Sequence, residues 1–389
     1  LEPPPDPAPS SEPLAAGPLV WEVLGNKIYS VPGSDGSFHL AYVAVFTNES
    51  RFPVTVKSME VLDPDHNNQL TGINQILSVL NEDVTGQLRL FSLPQTFDQA
   101  NFSTQIGPGQ SAAAYFDVTY RDRDAIPQRL AHRVSTFFIT PDGQEQDFVV
   151  TDDSVPVSPH SAIVLSPPLR GGRWVNANGC CKQIGPHRGT LNPINGALRP
   201  AEVFAIDFVQ VNQQGLGFTG DGSKVRDYPY YGTDILAAGA GTVTEVVRDL
   251  PDQVPGNAPP ATIETTAGNH VIIDMGGEHY ALYAHMVPNS PTVQVGDVVS
   301  PGQRIGLLGN SGSTTAPHLH FQVMDSASAL KAHGLPFVFD KMRLQGEIAD
   351  SVNGAGEKFS DGIPLPIRHD HRALLQGAMP LTLDVLNFK

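Results

Sequence analysis

Of the 13 histidines in the chain, the pair in Pro317-His318-Leu319-His320-Phe321 has the spacing of a chemical site. Residues two apart on a strand share a face, so His318 and His320 project together while Leu319 and Phe321 turn toward a core. Two imidazoles on one face offer a metal ligand beside an acid/base group. Upstream, Tyr283-Ala284-His285 reads as another polar pair on one strand face. Asp207 gives a different kind of signal. It sits in VFAIDFV, an apolar strand where a lone carboxylate is costly to bury. Such a group calls for a metal, an arginine such as Arg188, or several donors. His187, in GPHRGT, is separated from Asp207 by nineteen residues, 188–206. Cys180 and Cys181 stand close before His187 and are the only cysteines. Thiolates bind zinc well, but two neighbours rarely both chelate one tetrahedral ion. They form no disulfide framework; they either close a strained ring with each other or stay reduced.

These groups must be carried by a scaffold, and the composition says which kind. Gly (37) and Pro (34) together make about 18% of the chain, and charged residues only 16%. That favours many short strands joined by tight turns. The net charge of −16 argues against a general nucleic-acid binder, and no apolar run is long enough to span a membrane. Residues 1–17 read as a Pro-rich arm or linker, able to dock on a partner surface. The chain opens on Leu1 rather than Met, as expected of a processed or trimmed product. Residues 18–165 read as an immunoglobulin-like β-sandwich, with strands expected at 39–47, 53–62, 113–120, 133–140 and 145–151. Ile73, Ile76, Leu77 and Leu80 sit at helical spacing and predict a short helix there. His39, His66 and His132 are scattered through this half and read as surface or structural. A Pro- and Gly-rich boundary at 157–175 leads to a second β-rich unit, 166–389, ending in an extension at 345–389. Within it, HVIID (270–274) precedes the hairpin signals Gly296-Asp297 and Pro301-Gly302, and the small residues of 309–316 let another backbone approach the histidines.

The series GNHVIID…YALYAHM…VQVGDVVSPGQRIGLLGNSGSTTAPHLHFQV resembles the core of the lysostaphin-type (LytM-type) zinc metallopeptidases, which cut peptide bonds in bacterial cell walls. The resemblance is close over 265–325, and YYGTDILAAGAGTVTEVV (230–247) is similar to the strand pair that opens that core. It implies a mostly β chain whose C-terminal peptidase domain is an antiparallel sheet with a groove, core 230–325. It also implies one Zn2+ held by a His, an Asp and the second His of His-x-His. On this sequence the ligands become His187, Asp207 and His320, with His285 and His318 orienting or deprotonating the attacking water. The departure from the family pattern is the long His…Asp gap, which marks an atypical member. Asp221, Asp227 and Asp234 are fallback ligands; His270 and His279 are read as structural or surface. A His₂Asp set leaves a coordination position for water, the mark of a catalytic zinc, and no HExxH glutamate is present to act as base. Asn310, Ser311 and Thr314 are expected to contact substrate, and Tyr283 to line the cleft or sit in the core.

The resemblance implies a zinc metalloendopeptidase acting on peptidoglycan, placed in the periplasm, on the cell surface or secreted. The alternatives are a non-catalytic wall-binding or hydrolase-regulating relative, or a structural part of a surface assembly. Non-catalytic relatives lose metal-site residues, whereas all five positions can be filled here. The glucose-specific enzyme IIA of the sugar phosphotransferase system has a similar glycine pattern, but the sandwich, the arm and the His-Leu-His-Phe ending set this chain apart from it.

Overall fold

The computed structural model describes residues 15–76, 88–90, 101–257 and 262–389. Most of the arm falls outside that range. The N-terminal half is built from long strands whose alternating apolar residues need a cover. In one sheet, β1 (Leu19–Val23) and β4 (Ser111–Tyr120) flank β2 (Phe38–Asn48). In the other, β3 (Val54–Asp63) pairs with β5 (Arg129–Ile139), and β5 with β6 (Glu145–Thr151). The pairings are antiparallel, and residues from both sheets fill one apolar cluster, among them Leu40, Phe46, Phe116, Val56, Val61 and Val134.

The helix expected from Ile73 is replaced over its described part by a strand, Ile73–Ile76, that pairs with Phe116–Thr119 of β4. The edge of β4 gives the backbone of this segment hydrogen-bond partners in a sheet, and this tertiary pairing overrides the local spacing. Leu77 and Leu80 lie outside the described residues. His39 and His132 are buried beside carboxylates, Asp117 and Asp152, while His66 is exposed beside Asp63.

Sheet membership changes after residue 157. Val155–Pro156 still pairs with β5, but Ile163–Leu165 pairs in parallel with Phe337–Phe339. The second half forms one large sheet from β7 (Gly171–Asn178), β8 (Ile206–Gln210), β9 (Gly241–Val247), β10 (Asn269–Asp274), β11 (Tyr280–Met286), β12 (Leu319–Met324), β13 (Met342–Ile348) and β14 (Asp384–Phe388). Its spatial order runs β9-β10-β11-β12-β8-β7-β14-β13. The 345–389 extension therefore continues the sheet beyond β7. A single turn of helix, α1 (Pro186–Gly189), bridges β7 to β8, with a small hairpin, 192–199, after it.

Strands β8, β12 and β11 lie side by side in the middle of the sheet. Their apolar residues Ile206, Phe208, Leu319, Phe321, Val323 and Tyr283 all enter one large core cluster, so the residues between them face the other way.

Candidate metal centre

Strand alternation sends Asp207 to the face opposite Ile206 and Phe208, and His320 to the face opposite Leu319 and Phe321. The register of β8 against β12 then sets Asp207 directly across from His320. Asp207 Oδ1 lies 3.0 Å from His320 Nδ1 and 3.3 Å from His318 Nε2, and Asp207 Oδ2 lies 3.1 Å from His187 Nε2. One ligand atom from each of His187, Asp207 and His320 falls within 4.8 Å of the other two.

The protonation of each ring is set by the partner of its other nitrogen. His187 Nδ1 faces the Ala205 carbonyl at 3.3 Å and is the donor, which leaves Nε2, facing Asp207, as the nitrogen that a metal would take in place of a proton. His320 is reversed: Nε2 meets Gln322 Oε1 at 2.9 Å, so Nδ1 carries the lone pair. Gln322 is itself buried, and its amide nitrogen donates to the Ala329 carbonyl, which fixes the amide orientation. Asn178 ties two parts of the group together. Its Nδ2 donates to Asp207 Oδ2 at 3.3 Å, and its Oδ1 accepts from the His187 backbone N–H at 3.3 Å. Sequence reasoning missed Gln322 and Asn178. The signal for Gln322 was its place two residues after His320, on the same strand face.

His285 arrives by a different route. Strict alternation would put it on the core side with Tyr283, as expected of two residues spaced two apart on a strand. Its φ of +61° breaks the alternation and brings its ring within 4.5 Å (centroid to centroid) of His318 and 5.9 Å of His320. Its Nδ1 donates to the Ser311 carbonyl at 2.7 Å, which leaves the lone pair on Nε2. That carbonyl is in reach because glycines let two backbones close. A Cβ on Gly312 would strike the backbone of Gly268, and one on Gly268 would strike that of Ser311. His318 is fixed likewise, with Nδ1 on the Ala316 carbonyl at 2.8 Å and Thr314 Oγ1 3.2 Å away.

Burial works against the charge of Asp207, but His187 and His318 hold its carboxyl well below the usual range. Burial also opposes the charge of His187, and Asp207 overcomes it, raising the group to about 9. His318 is raised in the same way, its burial outweighed by Asp207. His285 goes the other way. Burial, reinforced by His318 and His320, pushes it well below the ordinary histidine value.

Tyr283 takes the second of its two expected places, in the core, and Asn310, Ser311 and Thr314, expected to meet substrate, lie in the wall of the site. Asn310, Ser311, Thr314 and Tyr283 are all buried, with their side chains already committed. Asn310 Nδ2 donates to the Gln253 carbonyl, and its Oδ1 accepts from Thr314. Ser311 Oγ donates to the Met286 carbonyl, and Tyr283 Oη accepts from the Ala238 N–H. The loop 310–314 builds the wall behind His285 and His318, with Ser311 holding one ring and Thr314 beside the other, and its side chains are spent on internal hydrogen bonds.

The fallback carboxylates are also occupied away from the cluster. Asp221 accepts from Ser223, Asp227 from the Lys224 N–H, and Asp234 faces Arg304. Arg188 does not pair with Asp207 but donates to the Cys181 and Phe116 carbonyls. His270 is held by Glu245 and the Gly268 carbonyl. Cys180 and Cys181 are joined by a disulfide, so neither offers a thiolate. For the same reason a second grouping among the described residues, His39, Asp117 and Cys181, lacks a third donor.

Residues 227–332 match the model of Peptidase family M23. That span holds His285, His318 and His320 but neither His187 nor Asp207. The peptidoglycan DD-endopeptidase ShyA of Vibrio cholerae is 45% identical over 58 residues, which is 15% of this chain and 13% of ShyA. Lysostaphin of Staphylococcus simulans is 37% identical over 86 residues, 22% of this chain and 17% of lysostaphin. The glycyl-glycine endopeptidase ALE-1 of Staphylococcus capitis is 43% identical over 93 residues, 23% of this chain and 25% of ALE-1. The chain thus spans a quarter or less of each of these relatives. Over residues 227–332, then, the chain is similar to Peptidase family M23, and over short stretches to these wall peptidases.

Proposed function

We propose that this chain is a zinc-dependent metalloendopeptidase that hydrolyses peptide bonds, with bacterial cell-wall peptidoglycan as its substrate. The observation that carries the reading is the convergence of His187 Nε2, an Asp207 carboxylate oxygen and His320 Nδ1 beside two further imidazoles. The donor set fits zinc: two neutral imidazole lone pairs and one carboxylate suit a borderline ion, and three protein ligands leave a position open. Two of the three ligands lie outside the segment matched by sequence, so the geometry supports the reading independently of the match.

When bound, zinc acidifies a water molecule and polarises the carbonyl that the water attacks. The side chains do the rest. His285 and His318 each present Nε2 toward the centre with Nδ1 anchored on a backbone carbonyl, so neither ring can flip without losing a hydrogen bond. One Nε2 takes the proton from water and returns it to the leaving amine nitrogen. The other holds the carbonyl oxygen as negative charge builds on it. Asp207 balances charge on the imidazole beside it, and Asn178 and Gln322 keep the ligands aimed.

The relatives include a DD-endopeptidase of peptidoglycan and a glycyl-glycine endopeptidase, so stem or bridge peptides of the wall are the proposed substrate. An envelope or secreted location follows from that substrate. No described helix is long and apolar enough to cross a membrane. The test is mass spectrometry of fragments released from purified peptidoglycan sacculi, with His285→Ala as matched control. New peptide ends made only by the wild type establish the activity and name the bond. No release from a chain that holds zinc contradicts it.

A further inference from the structure

The segment that carries His187 is gripped from the N-terminal half. Strand β4 is buried on both faces, which is unusual for a sheet whose other face already lines a core. Ala112, Ala114 and Phe116 point into the cluster between the two sheets. Ala113 and Tyr115, with Val43 of β2, form a separate cluster against Ile184 and Leu191. The outer face of the sheet is therefore covered by the stretch on either side of α1.

Polar contacts follow the same path. Tyr115 Oη donates to the Gly189 carbonyl at 3.1 Å. Arg188, 1% exposed, donates through Nη2 to the Phe116 carbonyl at 2.9 Å and through Nη1 to the Cys181 carbonyl. Lys182 pairs with Asp35 at 3.0 Å. A buried guanidinium is strongly unfavourable without partners, and Arg188 meets this through Nη1 and Nη2, with Nε left unpaired, so losing either carbonyl is costly and the two contacts fix the local geometry. The helix needs such fixing. A four-residue turn has no stability of its own, and the hydrogen bonds that reach His187 from Asn178 and Ala205 are both long, at 3.3 Å.

We infer that Tyr115 and Arg188 are positioning residues of the metal centre: the N-terminal sheet holds the turn Pro186–Gly189 and thereby sets where His187 Nε2 stands. The two N-terminal sheets are then part of the support of the centre, rather than only a tether for it. This inference rests on the zinc reading of the site.

The test uses the full chain and two readouts besides turnover. These are the zinc dissociation constant, by competition with a chromophoric chelator, and the visible spectrum of the Co2+-loaded protein, which reports ligand geometry. Tyr115→Phe removes one hydroxyl and is expected to weaken zinc about 10-fold and shift the Co2+ bands. Arg188→Gln is expected to weaken it further, with Arg188→Lys in between. Tyr42→Phe is the control: it removes a buried hydroxyl, bonded to His132, on the inner face of the same sheet, opposite the face that packs against the stretch around α1. It is expected to lower the melting temperature and leave zinc affinity unchanged. If the arginine variants fail to fold, Tyr115→Phe against Tyr42→Phe still decides the question. Wild-type zinc affinity and an unchanged Co2+ spectrum in Tyr115→Phe overturn this inference alone. A wild-type chain that takes up no zinc, or a His320→Ala chain that keeps it, overturns the zinc reading and this inference with it.

Discussion

Asp207 and His320 face each other across neighbouring strands, with Oδ1 of one 3.0 Å from Nδ1 of the other. The sheet register alone creates this pair, since directly opposed residues bring their Cβ atoms to about 5 Å. The same carboxylate also faces His187 and His318, so one anion serves three imidazoles. Asp207→Asn keeps the shape and removes the charge. It is expected to lower zinc affinity at least about 100-fold, read by chelator competition, because a neutral amide is a poor ligand beside two imidazoles. Near-wild-type affinity would show that the carboxylate serves only the histidines.

His285 lies outside the three-ligand group and is held by the Ser311 carbonyl. His285→Ala is therefore expected to keep zinc and lose turnover, with kcat falling on the order of 10²–10⁴-fold for a lost proton-handling group. Metal content and peptide hydrolysis, measured on the same preparation, separate the two effects. Loss of zinc together with activity would make His285 a ligand or a structural residue instead.

Gln322 acts through His320. Its Oε1 accepts the Nε2 proton and so keeps the lone pair on Nδ1, facing Asp207. Gln322→Met preserves length and removes the acceptor, and about a 10–100-fold loss of zinc affinity is expected. Gln322→Glu, which can still accept, is expected to bind zinc closer to wild type. Equal affinities in all three proteins would mean the ring is held by packing alone.

What the sequence revealed of this site followed strand arithmetic and stopped where that arithmetic breaks. His318 and His320 were legible because residues two apart share a face, and Asp207 because a carboxylate in VFAIDFV needs a counter-charge. The placing of His187 depended on resemblance, since nothing in its local sequence foretells that residues 188–206 fold aside. His285 was expected beside Tyr283, and only the φ of +61° moves it to the other face. Asn310, Ser311 and Thr314 looked like ligand contacts because they are polar and sit in a small-residue loop, yet each is spent on internal hydrogen bonds. The strands of the N-terminal half followed from their alternation. The helix expected from Ile73 gave way to a strand because β4 offers an edge that no sequence window contains. Asn178 and Gln322 were passed over because amides carry no charge to betray a partner.

The pair of His39 with Asp117 makes the N-terminal half sensitive to pH. Burial opposes the charge of His39, but hydrogen bonds to Asp117 and Asp35 raise it from the ordinary 6.5 to about 9. A base that holds its proton more tightly when folded stabilises the fold below its unfolded pKa and loses that contribution as pH rises through the folded one. Stability is thus expected to fall by about 3 kcal/mol between pH about 6.5 and about 9, at 1.36 kcal/mol per pKa unit. Denaturant titrations across that range measure it, with His39→Gln expected to flatten the slope. A wild-type stability that is level from pH about 6.5 to about 9 would show the pair carries no such linkage.

The most direct test falls on His187, one of the two ligands that lie outside the segment matched by sequence. Zinc per chain should be measured in wild-type and His187→Ala protein purified side by side, with circular dichroism showing that both are folded. The expected result is about one zinc per wild-type chain and its loss, or at least about a 100-fold weaker hold, in the variant. A folded His187→Ala chain that keeps its zinc at wild-type affinity would contradict the ligand set, because the centre would then be built from other residues.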